Sequence, residues 1–162
     1  MSERPAFGRR PEGLSALEKI EALLANPAIY ELADLIPTAD PTRGGRPRHY
    51  PSWMLILWEA LLSVFVSARQ VEAELAHPLV WQLIRHHSRR HNPHRPDRHL
   101  PTQPMRRHHY LYGRRHHLCQ PEILAALGQR HRELAAGHAR QLGLLDPTGP
   151  GSWTHPDLTR ML

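Results

Sequence analysis

Residues 85–118 hold nine Arg, nine His and a single acid, Asp97. Nine positive charges against one negative give that stretch +8. The whole chain is +6, so everything outside the stretch sums to −2. Guanidinium groups offer a planar fork of donors that suits phosphate oxygens, so this stretch is chemically suited to a polyanion. The arginines that are candidates for phosphate contacts fall in three groups. Arg43, Arg46 and Arg48 sit in a Gly/Pro-rich segment, followed later by Arg85, Arg89, Arg90, Arg95 and Arg98. Arg106, Arg107, Arg114 and Arg115 recur at spacings of 7 and 9, which puts them near one face of a helix. Phosphate contacts need only positive charge and reach, and they release counterions. The bland alternative is a solvated basic linker, and Arg-rich composition by itself also follows from GC-rich coding.

The histidines raise a metal reading. His87, His91 and His94 lie at i, i+4 and i+7, and His116, His117 and Cys119 cluster further on. Imidazole and thiolate both ligate zinc. Pro93 interrupts the helix that the first spacing requires, and the interleaved arginines repel a cation. The metal-free reading is preferred, with a His-rich metal-binding module kept as the alternative. His131 and His138, one heptad apart, read as half-buried residues at the edge of a core. For catalysis the chain is poor. Its carboxylates are scattered, and it has neither a phosphate-binding Gly-rich loop nor a nucleophile motif. No catalytic residue and no cofactor is expected.

These side chains need a scaffold, and composition points to helices. Leu and Ala total 40 residues against 10 for Ile and Val. Sixteen prolines require the helices to be short and separated by breaks. The expected class is all-α: a small bundle with a helix-turn-helix-like segment, a basic His/Arg-rich loop and a C-terminal helix. Ser15-Ala16-Leu17-Glu18 fits a capping box, followed by Leu17, Ile20, Leu23 and Leu24 at helical spacing up to Asn26-Pro27. A short helix over 28–36 carries Ile29, Leu32, Leu35 and Ile36, and residues 37–48 read as a linker.

The strongest helix is 52–67. Its polar residues Ser52, Glu59, Ser63 and Ser67 fall within an arc of about 80°, and the rest is apolar. That pattern belongs to a central core helix or a membrane span. A span needs about 20 apolar residues, and this run is shorter and contains Glu59. No membrane association is expected. Segments 68–76 and 79–87 complete a three-helix rhythm, with Val71 and Leu75 facing inward and Arg69, Glu72 and Glu74 outward. In a helix-turn-helix one such helix enters the major groove. Here the third is mostly apolar and leaves only Gln82, Arg85 and His86 for bases, and Arg69 on the second is the remaining candidate DNA contact.

The first half of the Arg/His stretch reads as loop because of Pro93, Pro96, Pro101 and Pro104. Met105–Leu118 reads as a helix anchored by Tyr110 and Leu111 and weakened by Gly113. The last helix spans about 121–142, with Pro121 in its first turn and Ile123, Leu124, Leu127, Leu134 and Leu142 as its apolar face. The expected organisation is a disordered terminus (1–12), a helical bundle (13–87), a basic segment (88–118), a C-terminal helix (119–145) and a turn-rich tail (146–162).

One cysteine, Cys119, excludes an intramolecular disulfide framework, and the polar first ten residues lack the apolar core of a secretory signal. A cytoplasmic location is expected.

One ordered set of residues resembles a known family. Gly45-Arg46-Pro47-Arg48-His49-Tyr50-Pro51 leads into Met54, Leu55 and the apolar helix. Ser67-Ala68-Arg69-Gln70-Val71-Glu72 and then Leu79-Val80-Trp81 follow. This resembles the N-terminal helical region of bacterial insertion-sequence transposases, where a G-R-P lead-in precedes a Leu-rich helix, a short S-x-R helix and a third helix with an aromatic residue. The resemblance implies DNA binding at transposon ends. It also implies a following ribonuclease-H-like domain whose acids hold divalent metal ions. No residue here matches those acids, and Asp157 is not one to carry over. The expectation is therefore a DNA-binding N-terminal fragment, truncated ahead of the catalytic domain and without catalysis of its own. It has DNA as partner, and a homodimer is compatible with it. A non-functional truncated remnant is the further alternative.

Overall fold

The computed structural model describes residues 13–37, 49–91 and 100–144, with only the backbone at His91. The described chain is all-α, with no strand among the described residues. Seven helices run in the order α1 (Ala16–Ala25), α2 (Pro27–Asp34), α3 (Ser52–Phe65), α4 (Ala68–Ala76), α5 (Pro78–His91), α6 (Arg107–Gly113) and α7 (Pro121–Gln141). A π-helical segment, Arg114–Leu118, continues α6. The expected disordered terminus (1–12), nearly all of the linker and the tail beyond 144 lie outside the described residues.

Local chemistry accounts for most helix ends. The Ser15 hydroxyl accepts from the Glu18 N–H at 3.3 Å, and the Glu18 carboxylate accepts from the Ser15 N–H at 2.7 Å. This is the capping box, and its hydrogen bonds hold the Glu18 carboxyl below its usual range. Asn26 both ends α1 and starts α2. Its N–H donates to the Leu23 carbonyl at 3.1 Å, and its Oδ1 accepts from the Ala28 N–H at 3.0 Å. Pro27, lacking an N–H, suits the first position of α2.

α3 is the centre of the bundle, and α1, α2, α4 and α6 all pack on it. Eight of its side chains are buried: Trp53, Met54, Leu55, Ile56, Leu57, Trp58, Leu61 and Phe65. Full burial of such a side chain is worth roughly 1.5–3 kcal/mol, so α3 dominates the driving force for folding. The helix stops two residues short of the expected end. Val66 adopts the left-handed conformation (φ 67°) and Ser67 caps α4, accepting from the Gln70 N–H at 3.2 Å. The two helix directions differ by 112° across this break. On α4, Val71 and Leu75 are fully buried, as their spacing predicts.

α5 differs from expectation. The predicted helix 79–87 extends to His91, so Ser88 through His91 are helical rather than loop. No breaker precedes Pro93, so the helix can run through this stretch, and Ser88 faces the interior at 2% exposure. Val80, Trp81 and Ile84 are buried, whereas Leu79 is exposed. Among the described residues no single helix is long and apolar enough to cross a membrane.

α6 and the π-helical segment occupy the predicted helix over 105–118, with one correction. Tyr110 anchors it as expected, at 3% exposure, but Leu111 is half exposed. The second inner contact is Gly113, against which Leu55 packs so closely that a Cβ there would lie 2.5 Å from Leu55 Cδ2. Gly113 is thus the point where α6 meets the core, not a weakness in the helix. α7 carries no buried residue. Ile123 and Leu127 rest half-buried against the core, while Leu124 and Leu142 face solvent. His131 and His138 are likewise exposed rather than at a core edge, because α7 lies on the bundle without entering it.

Candidate nucleic-acid interface

The predicted DNA-binding residues divide by location. Arg43, Arg46, Arg48, Arg95 and Arg98 lie outside the described residues. Arg69, Gln82, Arg85, Arg89, Arg90, Arg106, Arg107, Arg114 and Arg115 are described, and they form two groups.

The first group is on α5. At about 100° per residue, Gln82, Arg85, His86, Arg89 and Arg90 fall within an arc of about 140°, opposite the buried Val80, Ile84 and Ser88. Gln82, His86, Arg89 and Arg90 are exposed. Arg85 is half-buried, and its Nε is enclosed without a hydrogen-bond partner among the described residues. The extension of α5 to His91 is what places Arg89 and Arg90 on a rigid element.

The second group surrounds the start of α6. The Arg107 N–H donates to Glu72 Oε1 at 3.1 Å, bringing α6 beside the α4 face that also carries Arg69, three residues before Glu72. Arg69, Arg106, Arg107 and Arg115 are all exposed. The Tyr50 ring joins the two groups. It meets Trp81 of α5 edge-on at 6.4 Å and His109 of α6 at 5.1 Å. Its hydroxyl lies 3.3 Å from the carbonyls of Gln103 and Pro104, and Trp81 Nε1 donates to the Pro101 carbonyl at 3.2 Å. These bonds tie residues 100–106 across the bundle and set where α6 begins.

Arg114 stands apart from its neighbours. Its Nε donates to Glu59 Oε1 at 2.9 Å, and the same oxygen accepts from the Tyr110 hydroxyl at 2.8 Å. Its charge is therefore partly spent inside the molecule. Among the described residues Arg69, Arg85, Arg89, Arg90, Arg106, Arg107 and Arg115 have no carboxylate ion pair. That leaves exposed positive charge on α4, α5, α6 and the π-helical segment.

A further histidine group lies at the same place. His109 stacks on His49 with centroids 5.7 Å apart, and the His108 ring lies tilted beside it at 3.9 Å. Burial, then His108, His49 and Arg106, push the His109 pKa down. Among the described residues no group of three His, Cys, Asp or Glu side chains has the geometry to hold a metal ion, including His116, His117 and Cys119. His94 and the side chain of His91 lie outside the described residues. Sequence reasoning passed over Tyr112, whose ring lies 4.3 Å from that of His116. The available signal was the i, i+4 spacing of these two rings within the basic run.

Compared with known families, curated proteins and solved structures, the chain matches none.

Proposed function

We propose that this chain is a DNA-binding module corresponding to the N-terminal helical region of a transposase, without catalytic activity of its own. The observation that carries the reading is the exposed arginine set on α4, α5, α6 and the π-helical segment, unpaired by carboxylates among the described residues. A charge density of this kind, left unneutralised internally, is suited to phosphates. The resemblance of residues 45–81 to insertion-sequence transposases supports the choice of DNA, and a cytoplasmic location goes with it.

The 112° turn between α3 and α4 lies within the range of helix-turn-helix pairs, about 90–120°. α4, however, exposes Arg69 while Glu72 and Glu74 remain half-exposed, which is a poor surface for base edges beside a phosphate backbone. Affinity in this reading comes from the arginines of α5 and α6, with the α3–α4 pair as their scaffold.

A gel-shift titration with salt tests it. Log affinity for duplex DNA is expected to fall with log salt at about −0.9 per phosphate neutralised. The double variant Arg89→Gln/Arg90→Gln is expected to reduce that slope by up to about two such increments. A salt-independent affinity, or no binding at low salt, overturns the reading.

A further inference from the structure

Tyr112 is 64% exposed in the middle of the most basic part of the chain. Its neighbours set it apart from an ordinary surface tyrosine. The His116 ring lies 4.3 Å away at 39°, and the His117 ring 6.5 Å away at 76°. The π-helical winding begins one residue after Gly113 and widens the turn on which His116 is carried.

The inner side of this helix is fixed. Tyr110 stacks on Trp58 at 5.0 Å and 8° and donates to Glu59, and Gly113 is pressed against Leu55. Tyr112 therefore stands on a backbone held in place from behind. Exposed Arg115 lies three residues on, and exposed His108 one turn back.

An accessible aromatic face with a guanidinium within a turn of it is the chemistry that receives unpaired bases. The base stacks on the ring while the neighbouring phosphates meet guanidinium groups. A duplex keeps its bases stacked on one another and offers the ring no face. We infer that the Tyr112–His116 pair is a stacking platform for an unpaired base, so that the chain takes single-stranded DNA at this point as well as duplex elsewhere. The inference rests on the DNA-binding reading above.

Fluorescence anisotropy on the full chain separates the two ideas, with a 12-mer single strand and a 12-base-pair duplex as probes at matched salt. Tyr112→Ala is expected to weaken single-strand binding about tenfold, the factor that 1.4 kcal/mol represents, and to leave duplex binding within about twofold. Tyr112→Phe retains the single-strand affinity. A 2-aminopurine placed in the single strand is expected to be quenched by the parent chain and not by Tyr112→Ala. The inference is overturned if Tyr112→Ala leaves single-strand affinity unchanged, or lowers single-strand and duplex affinity equally. Binding to neither probe by the parent chain removes the DNA-binding reading itself, and the platform with it.

Discussion

The Tyr110 hydroxyl donates to Glu59 Oε1 at 2.8 Å, joining two helices whose sequence positions are 51 residues apart. The ring behind that hydroxyl stacks on Trp58, so one side chain combines an apolar contact with a polar one. Burial and then Glu59 push the Tyr110 pKa up. Glu59 is the one charged residue of α3, and here it has a partner.

Tyr110→Phe keeps the stacking and removes the hydrogen bond. It is expected to cost about 1–2 kcal/mol in urea unfolding. Arg114→Gln breaks a more exposed contact to the same oxygen and is expected to cost less, about 0.2–1 kcal/mol. A larger loss for Arg114→Gln than for Tyr110→Phe contradicts the assignment of Tyr110 as the anchor.

Two glycines in helices make opposite predictions. Gly113→Ala forces a Cβ to within 2.5 Å of Leu55 Cδ2, and Leu55 is itself buried with little room to move. The substitution is expected to destabilise by about 1–3 kcal/mol despite the better helix propensity of Ala. Gly137, a turn before the end of α7, has nothing within 4 Å of its Cβ position. Gly137→Ala is expected to raise the helical stability of α7 by about 0.5–1 kcal/mol, read by circular dichroism on heating.

Val66 holds φ 67° with its side chain 90% exposed. A β-branched residue is strained there and contributes no packing in return. Val66→Gly is expected to raise the unfolding free energy by about 1 kcal/mol, because relief of strain exceeds the added freedom of the unfolded chain. A lower melting temperature for Val66→Gly contradicts this account of the α3–α4 turn.

Stability is expected to depend on pH through His109, which faces His49, His108, Arg106 and Tyr50. Its folded pKa lies below the ordinary value of 6.5, with burial as the main cause. Between the two values the unfolded chain binds more protons, so stability rises with pH across that window. The contribution is fully present above about 6.5 and is lost as the pH falls below it. Melting curves at pH 7.5 and 5.0 are expected to differ in that direction, and His109→Gln to narrow the difference.

α7 is expected to be the least protected of the described helices. It has no buried residue, and its link to α2 includes the Arg130–Glu31 pair at 2.6 Å, with both side chains substantially exposed. Hydrogen exchange should show α7 opening well before α3, and Arg130→Ala should speed exchange in α7 without altering α3. Equal protection of the two helices contradicts this.

The sequence by itself determined what depends on neighbours along the chain. The capping box at Ser15 and Glu18, the break at Asn26-Pro27, the inward pair Val71 and Leu75 and the nearly all-apolar α3 follow from hydrogen bonds and periodicities spanning a few residues. So does the separation of a slightly acidic remainder from a basic stretch. Tertiary structure decided the rest. Leu111 and Tyr112 turn to solvent because Tyr110 and Gly113 take the inner face against Trp58 and Leu55. Ser88 faces inward and Arg89 and Arg90 outward on α5, while Glu59 takes up Arg114 and leaves Arg115 free of a carboxylate among the described residues. Each of these outcomes depends on contact between residues distant in sequence, and a local pattern does not encode which face of a helix another helix will cover.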